Sequence, residues 1–391
     1  MAFIDFLIHN KWIILFYLVI LAIVIINRKK FEFQAKFIAL YKTKIGIPFM
    51  QKFADKYGEV IRIFGYMAMG IGFVGMLVIT AFMIQGIYTL LFQPSAPAVL
   101  SPFIPGVQIP GSPLKPPFWE SIIALFIVVV VHEGSHGVVS KLYKIPIKNT
   151  GIVFFGPLIG AFVEPDEKKL EKQSDIVKHS IFAAGPFSNV LLAVVVALLL
   201  LLIINPLQSS MTTPSGFTFS QVQEGYPAAS SGLQPNIVYD SINGKPIKTI
   251  EQMYNELQCI MPNQSITISN ANASYSFVTA ANPQNPERGY LGIMNIQEKQ
   301  TLKSDTAFNR TAYAILHWLQ KLFEWIIIIS LGIGLANLLP IGPVDGGRML
   351  HTALTTAMGK ERGHKAWARI SIIGVIVIVI LLFVPIIKAI I

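Results

Sequence analysis

The apolar positions of this chain fall in long uninterrupted blocks and not in stripes at helical or strand spacing. A helix needs about 20 apolar residues to cross the hydrocarbon core of a bilayer. We therefore expect about six membrane-spanning helices, in the blocks Trp12–Ile26, Phe64–Phe92, Trp119–Val139, Ile181–Ile204, Trp325–Ile341 and Ile370–Ile387. An amphipathic helix over Thr311–Glu324 is expected to lead into the fifth of them.

Between residues 206 and 303 the pattern changes, because Gly, Asn, Ser and Gln increase and no block is long enough to span a membrane. About 95 residues are enough for a small soluble domain. This change divides the chain into N-terminal helices with a basic loop and a Pro-rich loop, a first part of a membrane core, the polar domain and a second part of the core. The expected boundaries are 1–118, 119–205, 206–303 and 304–391.

The segment Thr150–Val163 is apolar but too short to span. Its glycines at 151, 156 and 160, together with Pro157, argue against a helix and favour two short strands with a turn at Gly156-Pro157. Non-helical backbone is tolerated at membrane depth only where it faces protein or a water-filled cavity. An interfacial loop outside the bilayer remains the alternative. The expected fold class is an all-α polytopic membrane protein with a short membrane-associated β segment and an inserted α/β domain.

Composition supports a membrane protein and excludes several other classes. Hydrophobic residues make up 53% of the 391 residues and charged residues only 13%, with a mean hydropathy of +0.58. These values exclude intrinsic disorder and a collagen-like fibre. Cys259 is the single cysteine, so no intramolecular disulfide can form.

The net charge of +10 predicts orientation in the lipid bilayer and not a nucleic-acid partner. The loop Arg28–Arg62 contains nine Lys and Arg residues and only three acidic residues. The segment Pro94–Pro117 contains eight prolines and one lysine. The positive-inside rule places the first loop in the cytoplasm and the second outside. Alternation of the spans then places both termini and the polar domain outside. No recognised nucleic-acid-binding motif is present.

The strongest chemical signal is His132-Glu133-Gly134-Ser135-His136, at the end of an apolar span. Residues four apart lie on one face of a helix, so both imidazoles can bind one zinc ion. Glu133 is then placed to act as general base on a metal-bound water. Ionisable residues are costly inside a membrane, which favours a functional site. The alternative is a polar helix end whose histidines cap the helix or face solvent.

A catalytic zinc site usually has three protein ligands, so a third must come from elsewhere in the chain. Asp345 lies at the cytoplasmic end of another span, at the depth expected for His132 and His136. We therefore predict Zn²⁺ bound by His132, His136 and Asp345. A helix-capping aspartate in a loop is the alternative for Asp345, and five other histidines are present.

At these residues the sequence resembles the site-2 protease family of intramembrane zinc metalloproteases. The family's HExxH helix is matched by His132–His136, and its Gly-Pro-x-x-Asn segment by Gly185–Asn189. The distant segment that supplies the third ligand is matched by Asn337, Pro340, Asp345 and Gly346. Many relatives have Pro-x-Leu-Asp-Gly where this chain has Gly-Pro-Val-Asp-Gly, which leaves the aspartate intact. The resemblance covers about Trp119–Ile204 and Trp325–Leu354.

The resemblance implies peptide-bond hydrolysis within the membrane, on membrane-spanning protein substrates, near the cytoplasmic side. A substrate helix must first unwind, because its carbonyls are held in hydrogen bonds within the helix. An edge strand from Gly151–Val163 can bind the unwound segment by strand addition. The predicted substrate-binding residues are Gly151, Phe154, Gly156, Asn189 and Asn337. Helix packing is the alternative role for the two asparagines.

Glu224–Ile247 resembles the PDZ domains of bacterial-type proteases, with Pro-Ala, Gly-Leu and Ile-Asn-Gly in the expected order. Ile242-Asn243-Gly244 predicts a hairpin, and Ile250–Leu257 a following helix. The usual Gly-Asp after Gly-Leu is replaced by Pro235-Asn236. Such a PDZ-like domain would bind a peptide or chain end, or act as a size filter for substrate ectodomains. A structural plug that binds nothing is the alternative.

Together these features predict a multi-pass protein of the cell membrane that acts as a zinc-dependent intramembrane endopeptidase in regulated intramembrane proteolysis. One alternative is a non-catalytic membrane metal-binding or transport protein. Such a protein has no need of Glu133. A second alternative is an ordinary zinc peptidase anchored to the membrane, in which the histidines would lie on an amphipathic helix. The continuously apolar run Ile122–Val131 argues against it.

Overall fold

A computed structural model describes residues 10–34, 38–93, 99–110, 112, 114–155 and 158–390. The chain forms two compact units. The first comprises Met1–Leu201 and Leu319–Ile391, and the second comprises Leu202–Trp318.

Long apolar helices form most of the first unit. The helices that belong to it wholly or in large part are α1 (Lys11–Ile26), α2 (Ile47–Lys56), α3 (Gly58–Phe92), α4 (Phe118–Leu142), α5 (Glu167–Glu171), α6 (Asp175–Leu199), α10 (Ala307–Asn337), α11 (Asp345–Met358) and α12 (Lys360–Ile390). A π-helical turn at Leu200–Ile204 continues α6 into α7 (Asn205–Met211).

Five helices in the described part of the chain are long and apolar enough to cross a membrane. They are Gly58–Phe92, Phe118–Leu142, Asp175–Met211, Ala307–Asn337 and Lys360–Lys388. These helices contain four of the six predicted spans completely and a fifth, Trp325–Ile341, as far as Asn337. The remaining one forms α1, whose 16 residues fall short of the length that a straight span requires. The predicted helix over Thr311–Glu324 is confirmed as part of the continuous α10.

Small residues allow the helices of the first unit to pack closely. Gly65 of α3 lies against Ser180 of α6, where an added Cβ would be 3.1 Å from the Ser180 Cβ. Gly72, also on α3, faces Ala183 of α6 and Met349 of α11. An added Cβ on Gly72 would be 3.2 Å from the Ala183 Cβ and 3.0 Å from the Met349 Cε. Since lipid and apolar side chains are equally hydrophobic, close van der Waals packing of this kind is what holds membrane helices together. The α3, α6 and α11 helices therefore share one core.

A four-stranded antiparallel sheet completes the first unit, in the order β1 (Phe31–Gln34), β2 (Ile38–Thr43), β3 (Ile147–Phe155) and β4 (Leu158–Pro165). The prediction of two strands within 150–163 is confirmed, although the turn at Gly156-Pro157 lies outside the described residues. Treating residues 28–62 simply as a basic loop was wrong, since β1, β2 and α2 form there. These short strands depend on pairing with β3, which no local sequence pattern reports.

Helix α11 begins directly beside the end of α10. A side chain on Gly346 would collide with the carbonyl oxygen of Leu338, and one on Gly347 with that of Ile341. Two polar contacts attach α11 to the elements on its other side. The Nη2 of Arg348 donates to both carboxylate oxygens of Glu167, at 3.0 and 2.8 Å, and Thr356 Oγ1 donates to Asp175 at 2.7 Å. The first residue of α11 is therefore fixed in position.

The second unit is an α/β domain with its own core. Besides the part of α10 up to Trp318, its elements are α7, β5 (Thr212–Val222), α8 (Pro227–Ser230), β6 (Ser241–Ile242), β7 (Lys245–Pro246), α9 (Ile250–Gln258), β8 (Ser265–Ser269), β9 (Ser274–Val278), β10 (Ala280–Ala281), β11 (Gly289–Tyr290) and β12 (Ile293–Leu302). β5 pairs with β12, and β7, β6, β8 and β9 form an antiparallel sheet. Phe217, Tyr239 and Ile268 are among its completely buried side chains.

Local turn and capping chemistry explains two of these elements. Asn243 and Gly244 both adopt positive φ between β6 and β7, as a two-residue hairpin of type I′ requires. Thr249 and Gln252 form a reciprocal capping box at the start of α9. The predicted hairpin and the predicted helix over Ile250–Leu257 are therefore confirmed.

Candidate functional site

Helix α4 carries the HExxH sequence on its last turns. His132 is 5% exposed, and His136 lies one turn further along the same helix. Ser135, between them, satisfies its hydroxyl by donating to the carbonyl oxygen of Val131 at 2.8 Å. Four-residue spacing on an α-helix brings the two imidazoles to one face, where their ring centroids are 4.9 Å apart.

Asp345, the first residue of α11, meets both imidazoles. Its Oδ2 lies 3.1 Å from His132 Nε2 and 3.3 Å from His136 Nε2, while the two Nε2 atoms are 3.2 Å apart. Three potential ligand atoms thus form a nearly equilateral triangle. In the described part of the chain this is the only group of three or more His, Cys, Asp or Glu residues that could hold a metal ion.

The triangle has the dimensions of a zinc site. Ligand atoms bound tetrahedrally at about 2.0–2.2 Å from zinc stand about 3.3 Å apart. Two imidazoles and one carboxylate form a common donor set for catalytic zinc, which leaves the fourth position to water or substrate. The residues present therefore fit this ion in both chemistry and spacing.

The ionisation state of Asp345 suits a metal ligand. Burial by itself would raise the pKa of the Asp345 carboxyl, but a protonated His136 and hydrogen bonds from the imidazoles, which a bound metal would replace, lower that pKa below its ordinary value. Asp345 is therefore a carboxylate, the form that binds a cation.

Helix α6 forms the remaining wall of the site. His136 Nδ1 donates to the carbonyl oxygen of Ile181 at 2.6 Å, which leaves the lone pair of Nε2 for a metal. The side-chain amide of Asn189 lies 3.1 Å from His132 Nδ1. Between them, Gly185 faces the two rings directly. A Cβ at that position would be 2.6 Å from His132 Nε2 and closer still to His136 Nε2, so it would fill the space that a metal needs.

Glu133, also on α4, contacts the sheet. Its Oε2 accepts a hydrogen bond from the backbone N–H of Val163, on β4, at 3.0 Å. β4 is an edge strand, because β3 alone pairs with it in the described sheet. The free edge of the sheet therefore holds the carboxylate of Glu133.

Glu133 also lies on the wall of a cavity of about 790 Å³. One side of this cavity is one face of the sheet, formed by the cross-strand neighbours Tyr41, Thr43, Thr150, Ile152, Ala161 and Val163. The opposite side consists of apolar side chains from α2, α3 and α4, including Phe49, Phe53, Phe64, Phe126 and Val130. Apart from Glu133 and a few hydroxyl groups, the lining is hydrocarbon.

The family model for peptidase family M50 matches residues 120–381, about two thirds of the chain. The chain belongs to peptidase family M50. The predicted membership of the site-2 protease family, which is this family, is confirmed. Together with the five apolar helices, it identifies a multi-pass membrane protein.

Two curated relatives illustrate the range of similarity. An uncharacterized protein of Methanocaldococcus jannaschii is 32% identical over an alignment of 237 residues that covers 59% of this chain and 56% of that protein. Zinc metalloprotease RasP of Shouchella clausii is 24% identical over an alignment of 242 residues that covers 51% of this chain and 56% of that protein. The matched segments thus span little more than half the length of these relatives.

The M50 match does not include residues 1–119, yet they contribute much of the cavity. Tyr41 and Thr43 of β2, Phe49 and Phe53 of α2 and Phe64 of α3 all belong to this segment. The metal ligands and Glu133 lie within the matched region. The cavity beside Glu133 is therefore completed by a segment outside the part shared with the family model.

The other predicted substrate-binding residues are dispersed. Asn337 ends α10 and donates its side-chain amide to the carbonyl oxygen of Ile333 at 3.1 Å. Gly151 lines the cavity from β3, at a point where a side chain would collide with the carbonyl oxygen of Tyr41. Phe154 lines a smaller cavity beside α1. Gly156 lies outside the described residues, and Asn189 is completely buried.

The sequence-based predictions missed three features of the site. They are the Ile181 carbonyl group, the Val163 N–H and the absence of a side chain at Gly185, where the helix backbone lies against both imidazoles. The first two are backbone groups, which carry no residue-specific signal. Gly185 lies in the Gly-Pro-x-x-Asn segment, and a glycine inside an apolar span is itself a sign of close approach.

Replacing Gly185 with alanine is expected to abolish high-affinity zinc binding. The methyl group would occupy the metal position, whereas alanine is a better helix former than glycine by about 1 kcal/mol and should leave α6 intact. We expect zinc affinity to fall more than about tenfold, measured by chelator competition on the purified full chain.

Gly134→Ala is the matched control, because an added Cβ at this second glycine of the site region has no neighbour within 4 Å. It should bind zinc like the wild type. Wild-type zinc affinity in the Gly185→Ala protein would show that the ion does not lie against α6.

Proposed function

We propose that this protein is a zinc-dependent endopeptidase that cleaves transmembrane segments of membrane-anchored proteins, as in regulated intramembrane proteolysis. The observation that carries the proposal is the spacing of His132, His136 and Asp345, with Glu133 adjacent and open to an apolar cavity. Membership of family M50 and similarity to a named zinc metalloprotease support it.

Each polar group of the site has a distinct part in this reaction. Zinc bound by His132, His136 and Asp345 would supply a Lewis acid that polarises the scissile carbonyl and lowers the pKa of bound water toward about 7. Glu133 removes the proton of the attacking water and passes it to the leaving amine. The Val163 N–H keeps the Glu133 carboxylate directed at the edge of the sheet.

The free edge of β4 gives an unwound substrate a partner for its backbone. The Val163 N–H points away from β3 toward Glu133. Val163 and Thr150 therefore form a non-hydrogen-bonded pair of the antiparallel ladder. By alternation, Ala161 and Ile159 also direct their backbone groups outward. A substrate strand added along these residues would bring its peptide bonds to Glu133 and its apolar side chains to the cavity.

Gly156 lies outside the described residues and keeps its proposed substrate-binding role. Gly151 and Phe154 lie on β3, which is an interior strand of the described sheet. Because an added substrate strand would pair with β4 and not with β3, Gly151 and Phe154 would affect substrate binding only by shaping the sheet and its cavities. Asn337 retains its proposed role of bonding the freed substrate backbone. It must then exchange its present bond to Ile333 for the substrate.

The test of the catalytic mechanism is Glu133→Gln. We expect zinc content equal to that of the wild type and cleavage of a single-span substrate in detergent reduced by at least about a thousandfold, because the general base is lost. Cleavage at the wild-type rate would remove Glu133 from its role. A wild-type protein that binds zinc but cleaves no substrate would favour a metal-binding or transport protein.

Strand addition is tested by Ala161→Pro. Proline removes one outward N–H without removing a hydrogen bond to β3, a placement that edge strands tolerate. We expect kcat/KM to fall about 5- to 20-fold with zinc content unchanged, since one interstrand hydrogen bond is lost. Ala161→Val keeps the N–H and should cleave nearly as well as the wild type.

Equal activity of the Ala161 proline and valine variants would contradict strand addition at β4. In the same assay, Asn337→Ala should lower cleavage while zinc content stays constant. If Asn337→Ala lost zinc instead, Asn337 would belong to the metal site and not to substrate binding.

For the second unit we propose a PDZ-like domain outside the membrane, with the zinc site near the cytoplasmic side. The hairpin at Asn243-Gly244 and the helix α9 are consistent with such a domain. Its proposed role is to bind a chain end or to exclude substrates with large ectodomains.

Deletion of residues 206–303 tests the filter. We expect faster cleavage of a substrate with a long ectodomain and an unchanged rate for the same substrate with a short one. Unchanged rates for both substrates would contradict the filter and leave chain-end binding or a structural plug.

A further inference from the structure

Asn189 is a buried polar residue in contact with a proposed metal ligand. It lies on α6, is 0% exposed and has its side-chain amide 3.1 Å from His132 Nδ1. Its Oδ1 is also buried and has no hydrogen-bond partner among the described residues. A buried oxygen without a hydrogen-bond partner is destabilising, so the arrangement calls for a partner.

A histidine that binds zinc through Nε2 must carry its proton on Nδ1. It therefore needs a hydrogen-bond acceptor beside Nδ1. His136 has one in the carbonyl oxygen of Ile181, at 2.6 Å. For His132 the neighbouring group is the amide of Asn189, and a rotation of 180° about its Cβ–Cγ bond exchanges Oδ1 with Nδ2.

We propose that Asn189 is a positioning residue for the zinc site, with its Oδ1 accepting the Nδ1–H of His132. This inference rests on the proposed zinc-dependent function. It gives Oδ1 a partner, turns Nδ2 to the position that Oδ1 occupies, and leaves the Nε2 lone pair of His132 for the metal position between Asp345 and His136. It also differs from the substrate-binding role suggested by sequence, for which a completely buried side chain offers no accessible surface.

Helix α6 then orients both histidines. The acceptors at Ile181 and Asn189 are eight residues apart, a little more than two helical turns, and Gly185 lies midway between them against the metal position. One face of α6 thus supplies an acceptor for each ring and open space for the ion. Rotation or sliding of α6 would disturb both rings together.

Helix α10 holds Asn189 in place from the other side. Ser330 Oγ donates to the backbone carbonyl oxygen of Asn189 at 2.8 Å, and both residues are completely buried. An added Cβ on Gly334 would be 3.3 Å from the Asn189 Cβ, so this glycine permits the approach. Because the Asn189 backbone is fixed, its side-chain amide can hydrogen-bond to His132 with little loss of side-chain conformational entropy when zinc binds.

Two substitutions at Asn189 separate an acceptor from a donor. Asn189→Asp keeps an oxygen acceptor of nearly the same size but has no N–H₂, whereas Asn189→Leu keeps the volume and offers neither. The readout is zinc affinity of the purified full chain in detergent, by chelator competition, together with the absorption spectrum of the Co²⁺-substituted protein. Ser188→Ala is the matched control, because Ser188 is the neighbouring buried residue and donates to Gly185 O at 2.7 Å.

We expect Asn189→Leu to bind zinc 10- to 100-fold more weakly, as loss of a partner that orients a metal-binding histidine does. Asn189→Asp should bind zinc at least as tightly as the wild type and keep its Co²⁺ spectrum, because a carboxylate makes the histidine a better ligand. Ser188→Ala should retain wild-type affinity. Thermal unfolding of each zinc-free variant separates loss of metal binding from loss of fold.

The proposal is overturned if Asn189→Asp is as weak as Asn189→Leu, since the amide would then act as a donor, or if Asn189→Leu binds zinc normally. Should the leucine variant fail to fold, the aspartate variant alone still decides between acceptor and donor. Because the readout is zinc affinity, a protein that binds zinc without cleaving substrates would refute the proposed function and not this inference.

Discussion

The candidate site depends on how closely α6 approaches the two histidines of α4. Gly185 brings the backbone of α6 against both Nε2 atoms, at a distance that no other residue permits. Polar groups buried in an apolar unit are costly unless they are paired. Close approach provides the partners, because it brings the Ile181 carbonyl and the Asn189 side chain within hydrogen-bonding distance of the outer ring nitrogens.

The third potential ligand reaches the same point by a different kind of close approach. Gly346 and Gly347 let the first turn of α11 lie against the backbone that follows α10, and this places Asp345 beside the histidines. The contacts of Arg348 and Thr356 hold the other side of α11. Exposed ion pairs contribute little free energy on their own, so packing of the glycines is the larger constraint. Steric complementarity thus sets the geometry of all three potential ligands.

The ligand triangle could be predicted from sequence, because its signals are local. His132 and His136 have the spacing of one helical turn, and Asp345 stands out as an acid at the end of an apolar block. The β1–β2 hairpin could not be predicted, since its short strands are stabilised by pairing with β3 more than 100 residues away. Backbone groups such as the Val163 N–H carry no sequence signal at all. The sequence also suggested substrate binding for Asn189, where burial and the contact with His132 favour a role inside the site.

Residues 38–64, which form β2, α2 and the first turns of α3, supply aromatic side chains to the cavity beside Glu133, although they lie outside the segment shared with family M50. The proposed chemistry requires only the ligands, Glu133 and the edge of β4, all of which lie within that segment. The proposed chemical groups therefore lie within the shared segment, whereas the cavity is lined by residues from both sides of its boundary. Residues 38–64 therefore supply part of the cavity wall and none of the proposed hydrolytic groups, although Met50 of α2 packs against Gly137, the residue next to His136.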